Sequence, residues 1–108
     1  MPKVMNKTLL SVRVGSEKLA RASELLKVAA HPQRLAILDA LGLHGDQCVS
    51  DLQEKLGLEQ AILSQHLILM RDKGLLDVTR EGRYSYYRLK RPEFLKIIRN
   101  IEDCCDHL

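Results

Sequence analysis

The segment between Gly57 and Gly74 has two sides of opposite chemistry, and a small chain has few ways to use such a helix. Wound at the α-helical repeat, Gln60, Ala61, Ser64, Gln65 and Ile68 fall on one arc. Leu63, Leu67, Leu69, Met70, Ile62 and His66 fall on the other. The second arc requires a core to pack on. The first is short, mostly polar and free of charge, whereas a solvated face ordinarily carries Lys and Glu. Gln pairs bidentately with adenine, Ser donates or accepts, and an Ala methyl meets a thymine methyl. The arc is therefore read as an element that enters a DNA major groove. His66, in the middle of the apolar arc, is read as a packed ring with satisfied nitrogens rather than as a metal or DNA ligand.

The flanking sequence supplies the rest of a DNA-binding fold. Ser16 is expected to cap a helix running to about Ala30, with Leu19, Ala22, Leu25, Leu26 and Ala29 on one face. Pro32 opens a second helix carrying Leu35, Leu38 and Leu41, which Gly42 and Gly45 are expected to end. Cys48 stands at an N-cap position, three residues before Asp51. Val49, Leu52 and Leu56 then make a short helix stopped by Gly57. After Gly74, Leu75–Arg80 and Tyr84–Leu89 read as two strands joined at Glu81-Gly82-Arg83. A final helix follows Lys90-Arg91-Pro92. In the first fifteen residues Leu10, Val12 and Val14 alternate like a short strand, or the segment is an arm. The expected class is mainly α with a β-hairpin wing, a winged helix-turn-helix, with residues 1–108 as one domain.

Composition narrows the function. The 108 residues are 45% hydrophobic and 29% charged, which suits one modest core and argues against disorder. No apolar run approaches the roughly 20 residues that span a bilayer. The N-terminus MPKVMNKTLLSVRVG, with Lys3 and Lys7, lacks a compact apolar signal core. Cys48, Cys104 and Cys105 are an odd number with two adjacent, which is no disulfide framework, so a cytoplasmic protein with free thiols is expected. Residues 71–91 carry seven basic and three acidic side chains. Within them Arg71, Lys73, Arg80 and Arg83 are candidates to neutralise DNA phosphates. Tyr84, Tyr86 and Tyr87 are read as packing residues of the strand. No paired carboxylates, phosphate loop, Ser–His arrangement or spaced C-x-x-C suggests an enzyme.

The stretches HPQRLAIL (31–38), CVSDLQEKLGLEQAILSQHLILMRDKGLL (48–76) and EGRYSYYRL (81–89) resemble the ArsR/SmtB family of winged-helix repressors. The resemblance covers about residues 22–108. It implies a homodimer that binds double-stranded operator DNA and releases it when a metal, metalloid or thiol-reactive signal arrives. It also implies that Gln60, Ala61, Ser64 and Gln65 read bases and that Arg83 lies in the wing.

The family's sensor patterns are only half present. Where many members carry C-x-C, this chain has Cys48-Val49-Ser50. The paired histidine and carboxylate positions of the zinc-type site hold Phe94 and Lys96, with His107 alone at the late position. Ala40 replaces the second-helix cysteine of the reactive-sulfur pattern, while Cys105 falls near its partner position. The pair Cys104-Cys105 resembles the clustered thiols of arsenite sensors but lacks a third. No metal site is assigned and no cofactor is needed for the fold, although a thiophilic metal or metalloid suits the thiols. On the last helix, within residues 91–108, Phe94, Ile98, Ile101, Cys105 and Leu108 form one stripe, read as the seam between protomers. The expected function is a homodimeric DNA-binding repressor with Cys104, Cys105 and Cys48 as candidate sensor thiols and an unknown inducer. The alternatives are a regulator with no inducer and a winged helix that binds protein instead of DNA.

Overall fold

Residue periodicity, helix caps and glycine placement account for most of the architecture. The structure, a computed structural model, describes residues 9–108. Lys3 and Lys7, in the leading part of the expected arm, lie outside them. The elements are α1 (Leu10–Val14), α2 (Ser16–Ala29), α3 (Pro32–His44), β1 (Gln47–Cys48), α4 (Val49–Leu56), α5 (Gln60–Asp72), β2 (Leu76–Glu81), β3 (Tyr84–Leu89) and α6 (Phe94–Cys105). None of the described helices is long and apolar enough to cross a membrane.

Ile37, Leu38 and Leu41 of α3, Leu52 of α4, and Leu63, Leu67 and Met70 of α5 share one core with Leu75, Leu76, Tyr87 and Phe94. Each fully buried side chain of this size is worth roughly 1.5–3 kcal/mol. The apolar arc of α5 is therefore the side that packs.

Several local expectations are corrected. The alternation of Leu10, Val12 and Val14 does not make a strand; α1 is a short helix, with Leu9 and Leu10 about half exposed. Ser16 is the first residue of α2 rather than its cap. The N-cap is Gly15, at φ 93°, a backbone angle that a Cβ would disfavour. Of the expected α2 face only Ala29 is buried, while Leu26 is 44% exposed. Leu19 and Leu25 are half-buried and Ala22 is exposed, so the protomer's own core covers that face only in part. Gly42 does not end α3, which continues to His44 with Gly45 as C-cap. A Cβ at Gly42 would collide with Leu95 of α6, so this glycine lets two helices approach closely.

The hairpin is also more than a hairpin. β3 is the middle of a three-stranded antiparallel sheet ordered β1-β3-β2. Gln47 and Cys48 pair with Tyr87 and Tyr86 on one side of β3, while β2 pairs along its full length on the other. The turn is Gly82-Arg83, with Gly82 at φ 63°.

A polar network fastens the α2–α3 junction to α5. The His31 ring caps α3 by accepting from the Gln33 backbone N–H at 3.1 Å. Arg34 donates through Nη1 to the Val28 carbonyl at 3.0 Å and through Nε to His66 Nδ1 at 3.1 Å. Because Nδ1 accepts, His66 Nε2 carries the proton and donates to Gln33 Oε1 at 2.8 Å. The rings of His31 and His66 are 4.8 Å apart. His66 is thus the packed, satisfied histidine that the sequence suggested. Burial first, then the charges of Arg34 and His31, holds its pKa below the usual histidine value. In the unfolded chain it titrates near 6.5. The unfolded state then binds more protons below that pH. The neutral ring's contribution is complete above about 6.5 and lost as pH falls through the lower folded pKa. The thermal midpoint should therefore drop between pH 7 and pH 5, and His66→Gln should flatten that drop. Equal pH slopes for the two proteins in scanning calorimetry would refute the assignment.

Candidate nucleic-acid interface

The reading element begins at α4. The Asp51 carboxylate accepts from the Cys48 backbone N–H at 3.2 Å, which fixes the helix start. Hydrogen bonding from the Cys48 side chain first, and then from its backbone N–H, lowers the Asp51 pKa from its ordinary range. Cys48 Sγ lies 3.1 Å from Ser50 Oγ. At the other end Gly57 adopts the left-handed conformation, φ 67°, ψ 23°, and its N–H returns to the Gln53 carbonyl. Leu58 and Glu59 complete the turn, and Glu59 is the N-cap of α5.

α5 is set with its two arcs as the sequence separates them. Leu63, His66, Leu67 and Met70 are buried; Gln60, Ala61, Gln65 and Ile68 are exposed and Ser64 is partly so. Ile62, assigned to the apolar arc, is 40% exposed because it lies at that arc's edge.

The wing comes to the same side. Cys48, Val49, Ser50 and Gln53 of the α4 region, Gln60 of α5, and Arg83, Tyr84 and Ser85 of the wing line one open cleft of about 300 Å³. Residues distant in sequence thus meet: the first base-reading candidate and the wing arginine face a common space. Arg80 is exposed opposite Ser85 in the sheet register. Arg71 and Lys73 stand at the far end of α5. Arg71 Nη2 pairs with Asp72 at 2.9 Å, and Lys73 lies beside α2.

Sequence reasoning missed Gln53, Ser50 and Tyr84 as cleft residues. The i, i+3 spacing of Ser50 and Gln53 puts them on one face of α4 and was the available signal. Of the tyrosines only Tyr87 is a core residue. Tyr84 is half exposed, its ring 6.5 Å from that of Tyr86.

The candidate thiols are not gathered together. Cys104 and Cys105 are exposed near the end of α6, whereas Cys48 is buried at the rim of the cleft. Among the described residues no three His, Cys, Asp or Glu side chains are placed to hold a metal ion. Within the expected seam, Phe94 is buried in the protomer's own core, and Ile98 packs partly against it. Ile101, Cys105 and Leu108 are exposed. Phe94, Ile97, Ile98 and Ile101 join Leu26, Ala29, Ala30 and Leu35 around an apolar concavity of about 200 Å³ between α2, α3 and α6.

A model of the arsR family of bacterial regulatory proteins matches residues 31–78, the span from the α3 cap into the wing. The chain is 40% identical to the transcriptional repressor PagR of Bacillus anthracis over 71% of its own length and 77% of that protein's. The crystal structure of PagR superposes with a TM-score of 0.72, covering 80% of this chain and 98% of that one, at 37% identity. A biofilm growth-associated repressor of Agrobacterium fabrum is 38% identical over 72% of this chain and 68% of its own. The solution structure of a homodimeric winged helix-turn-helix DNA-binding domain from Mycobacterium bovis shares the fold at 23% identity. Its TM-score is 0.71, over 98% of this chain and 91% of that one. The chain therefore belongs to the arsR family of bacterial regulatory proteins, as a transcriptional repressor with a winged helix-turn-helix DNA-binding fold and no enzymatic role.

Proposed function

We propose that this repressor acts in the cytoplasm as a homodimer whose two α5 helices enter successive major grooves of a partly palindromic operator, about one helical turn apart. The observation that carries the reading is the shared cleft of Gln60 and Arg83. It brings the first residue of the base-reading arc and the wing arginine to one surface. Gln60, Ala61, Ser64 and Gln65 contact bases, Arg80 and Arg83 contact phosphates, and Arg71 and Lys73 extend the positive footprint. Gln65→Ala should cost about 1–3 kcal/mol at the cognate site and relax its sequence preference. Arg83→Ala should weaken all sequences evenly and lower the salt slope of binding by about one unit. Specific affinity left intact by Gln65→Ala in a gel-shift titration would contradict the base-reading role.

The protomers meet through the apolar concavity between α2, α3 and α6. Exposed Leu26 and Ile101 border it, and the stripe continues to Cys105 and Leu108. An uncovered apolar hollow of this kind is poorly hydrated, and a second copy covers it by two-fold symmetry. The winged helix-turn-helix domain from Mycobacterium bovis, which shares the fold, is itself homodimeric. A Leu26→Glu/Ile101→Glu variant should sediment as a folded monomer and lose operator binding. A wild-type sedimentation mass equal to one chain at micromolar concentration would exclude the dimer.

Release follows from chemistry at Cys104 and Cys105. Both thiols are exposed next to that interface. Neighbouring Cα atoms are only about 3.8 Å apart, below the usual disulfide range, so the pair does not readily close on itself. A bridging metalloid, or a disulfide to the partner's pair formed at the expense of an oxidant, changes the end of α6 instead. A coupling of about 1–3 kcal/mol between this event and DNA binding suffices for a switch. Cys104→Ser/Cys105→Ser should abolish operator release by arsenite and by peroxide. If the variant released DNA as the wild type does, the signal would pass to Cys48, which borders the DNA-facing cleft.

A further inference from the structure

α2 changes character toward its N-terminal end. Lys18, Arg21, Ala22 and Leu25 fall on one side of the helix and, with Arg91 from the loop after β3, line an open concavity of about 420 Å³. Arg21 and Leu25 also line an adjoining hollow of about 310 Å³, which Ala20, Glu24 and Lys73 complete. Four cations from three separate parts of the fold thus converge on one surface. The single carboxylate among the lining residues is Glu24, and its Oε1 already lies 3.3 Å from Lys27 Nζ. Lys18, Arg21, Lys73 and Arg91 enter none of the side-chain ion pairs among the described residues, which are Lys27–Glu24, Arg71–Asp72 and Arg88–Asp46. Arg91 Nε is buried and has no hydrogen-bond acceptor there.

An ordinary solvated face alternates its charges or spreads them apart. Here like charges repel across a hollow, and a buried guanidinium donor without an acceptor is costly. Binding an oxyanion relieves the repulsion, because arginine's planar fork matches phosphate and carboxylate oxygens. We propose that this concavity is a binding site for a small phosphate- or carboxylate-bearing polyanion. Its charged oxygens lie between Arg21, Lys18 and Arg91, and any short apolar part rests on Ala22 and Leu25.

The position selects a small molecule over duplex backbone. Lys73, the outer edge of the DNA footprint proposed above, borders only the adjoining hollow, at the end of α5 opposite Gln60, roughly 20 Å along a helix of this length. Arg91 follows β3 at the end opposite the Gly82-Arg83 turn, roughly 20 Å along the strand. The site therefore lies at the far ends of both elements whose near ends form the cleft. Occupancy would brace α2 against the junction of wing and α6.

The test is calorimetric titration of the full chain with inorganic pyrophosphate, ionic strength being held constant with sodium chloride. One saturable site per chain is expected. Arg21→Gln/Arg91→Gln should weaken it about tenfold or more, the loss of charge-assisted hydrogen bonds. Lys55→Gln, a charge removed from α4 instead, should leave it unchanged. Absence of saturable binding by the wild type, or equal weakening by Lys55→Gln, would overturn the site. A second arm measures the salt slope of DNA binding without pyrophosphate. An unchanged slope in the double arginine variant is expected, whereas a shallower one would assign these cations to the DNA backbone and overturn the small-anion site.

Discussion

α5 must be held firmly from one side while its other side stays bare, and the remainder of the fold is arranged around that demand. A helix of 13 residues has little stability of its own in water. Leu63, Leu67 and Met70 supply it by entering the core that α3 and α4 build. Apolar packing alone is indifferent to small rotations of a helix about its axis. The bonds from Arg34 and Gln33 to the two ring nitrogens of His66 are directional. They fix the rotational setting of the helix, and with it the direction in which Gln60, Ser64 and Gln65 point.

Most elements were legible because their signals are local. Pro32 at a helix start, Gly57 in the left-handed C-cap and Gly82 in the wing turn each answer a backbone need that one residue type meets best. The misreadings share another cause. Gly42 looks like a helix stop, yet its missing side chain serves Leu95, more than fifty residues away. β1 is two residues long, too short for any alternation to register, and exists because β3 offers it an open edge. The α2 stripe has sound helical spacing, but spacing does not reveal whether the cover comes from the same chain.

The candidate site divides in the same manner. The base-reading arc belongs to one helix, so a helical wheel separates it from the packed arc without tertiary information. The cleft joins residues from 48 to 85 and required the fold. So did the gathering of Lys18, Arg21, Lys73 and Arg91, which in sequence are only scattered positive charges. Phe94 illustrates the limit of the wheel. It sits in line with Ile98 and Ile101 on α6, yet being nearest the body it is taken into the protomer's own core.

The short strand β1 has a mechanical consequence. Its two residues pair with Tyr86 and Tyr87, and the next residue along the chain is the first of α4. The start of the helix-turn-helix is thereby stitched to the middle strand of the wing. The backbone pairing thus ties the start of the reader directly to the wing. In the dimer proposed above, a signal at α6 would act on the orientation of whole protomers rather than on the tilt of α5 against its own wing. Under that proposal, repression and release would differ in the spacing and angle between two reading heads rather than in the shape of either.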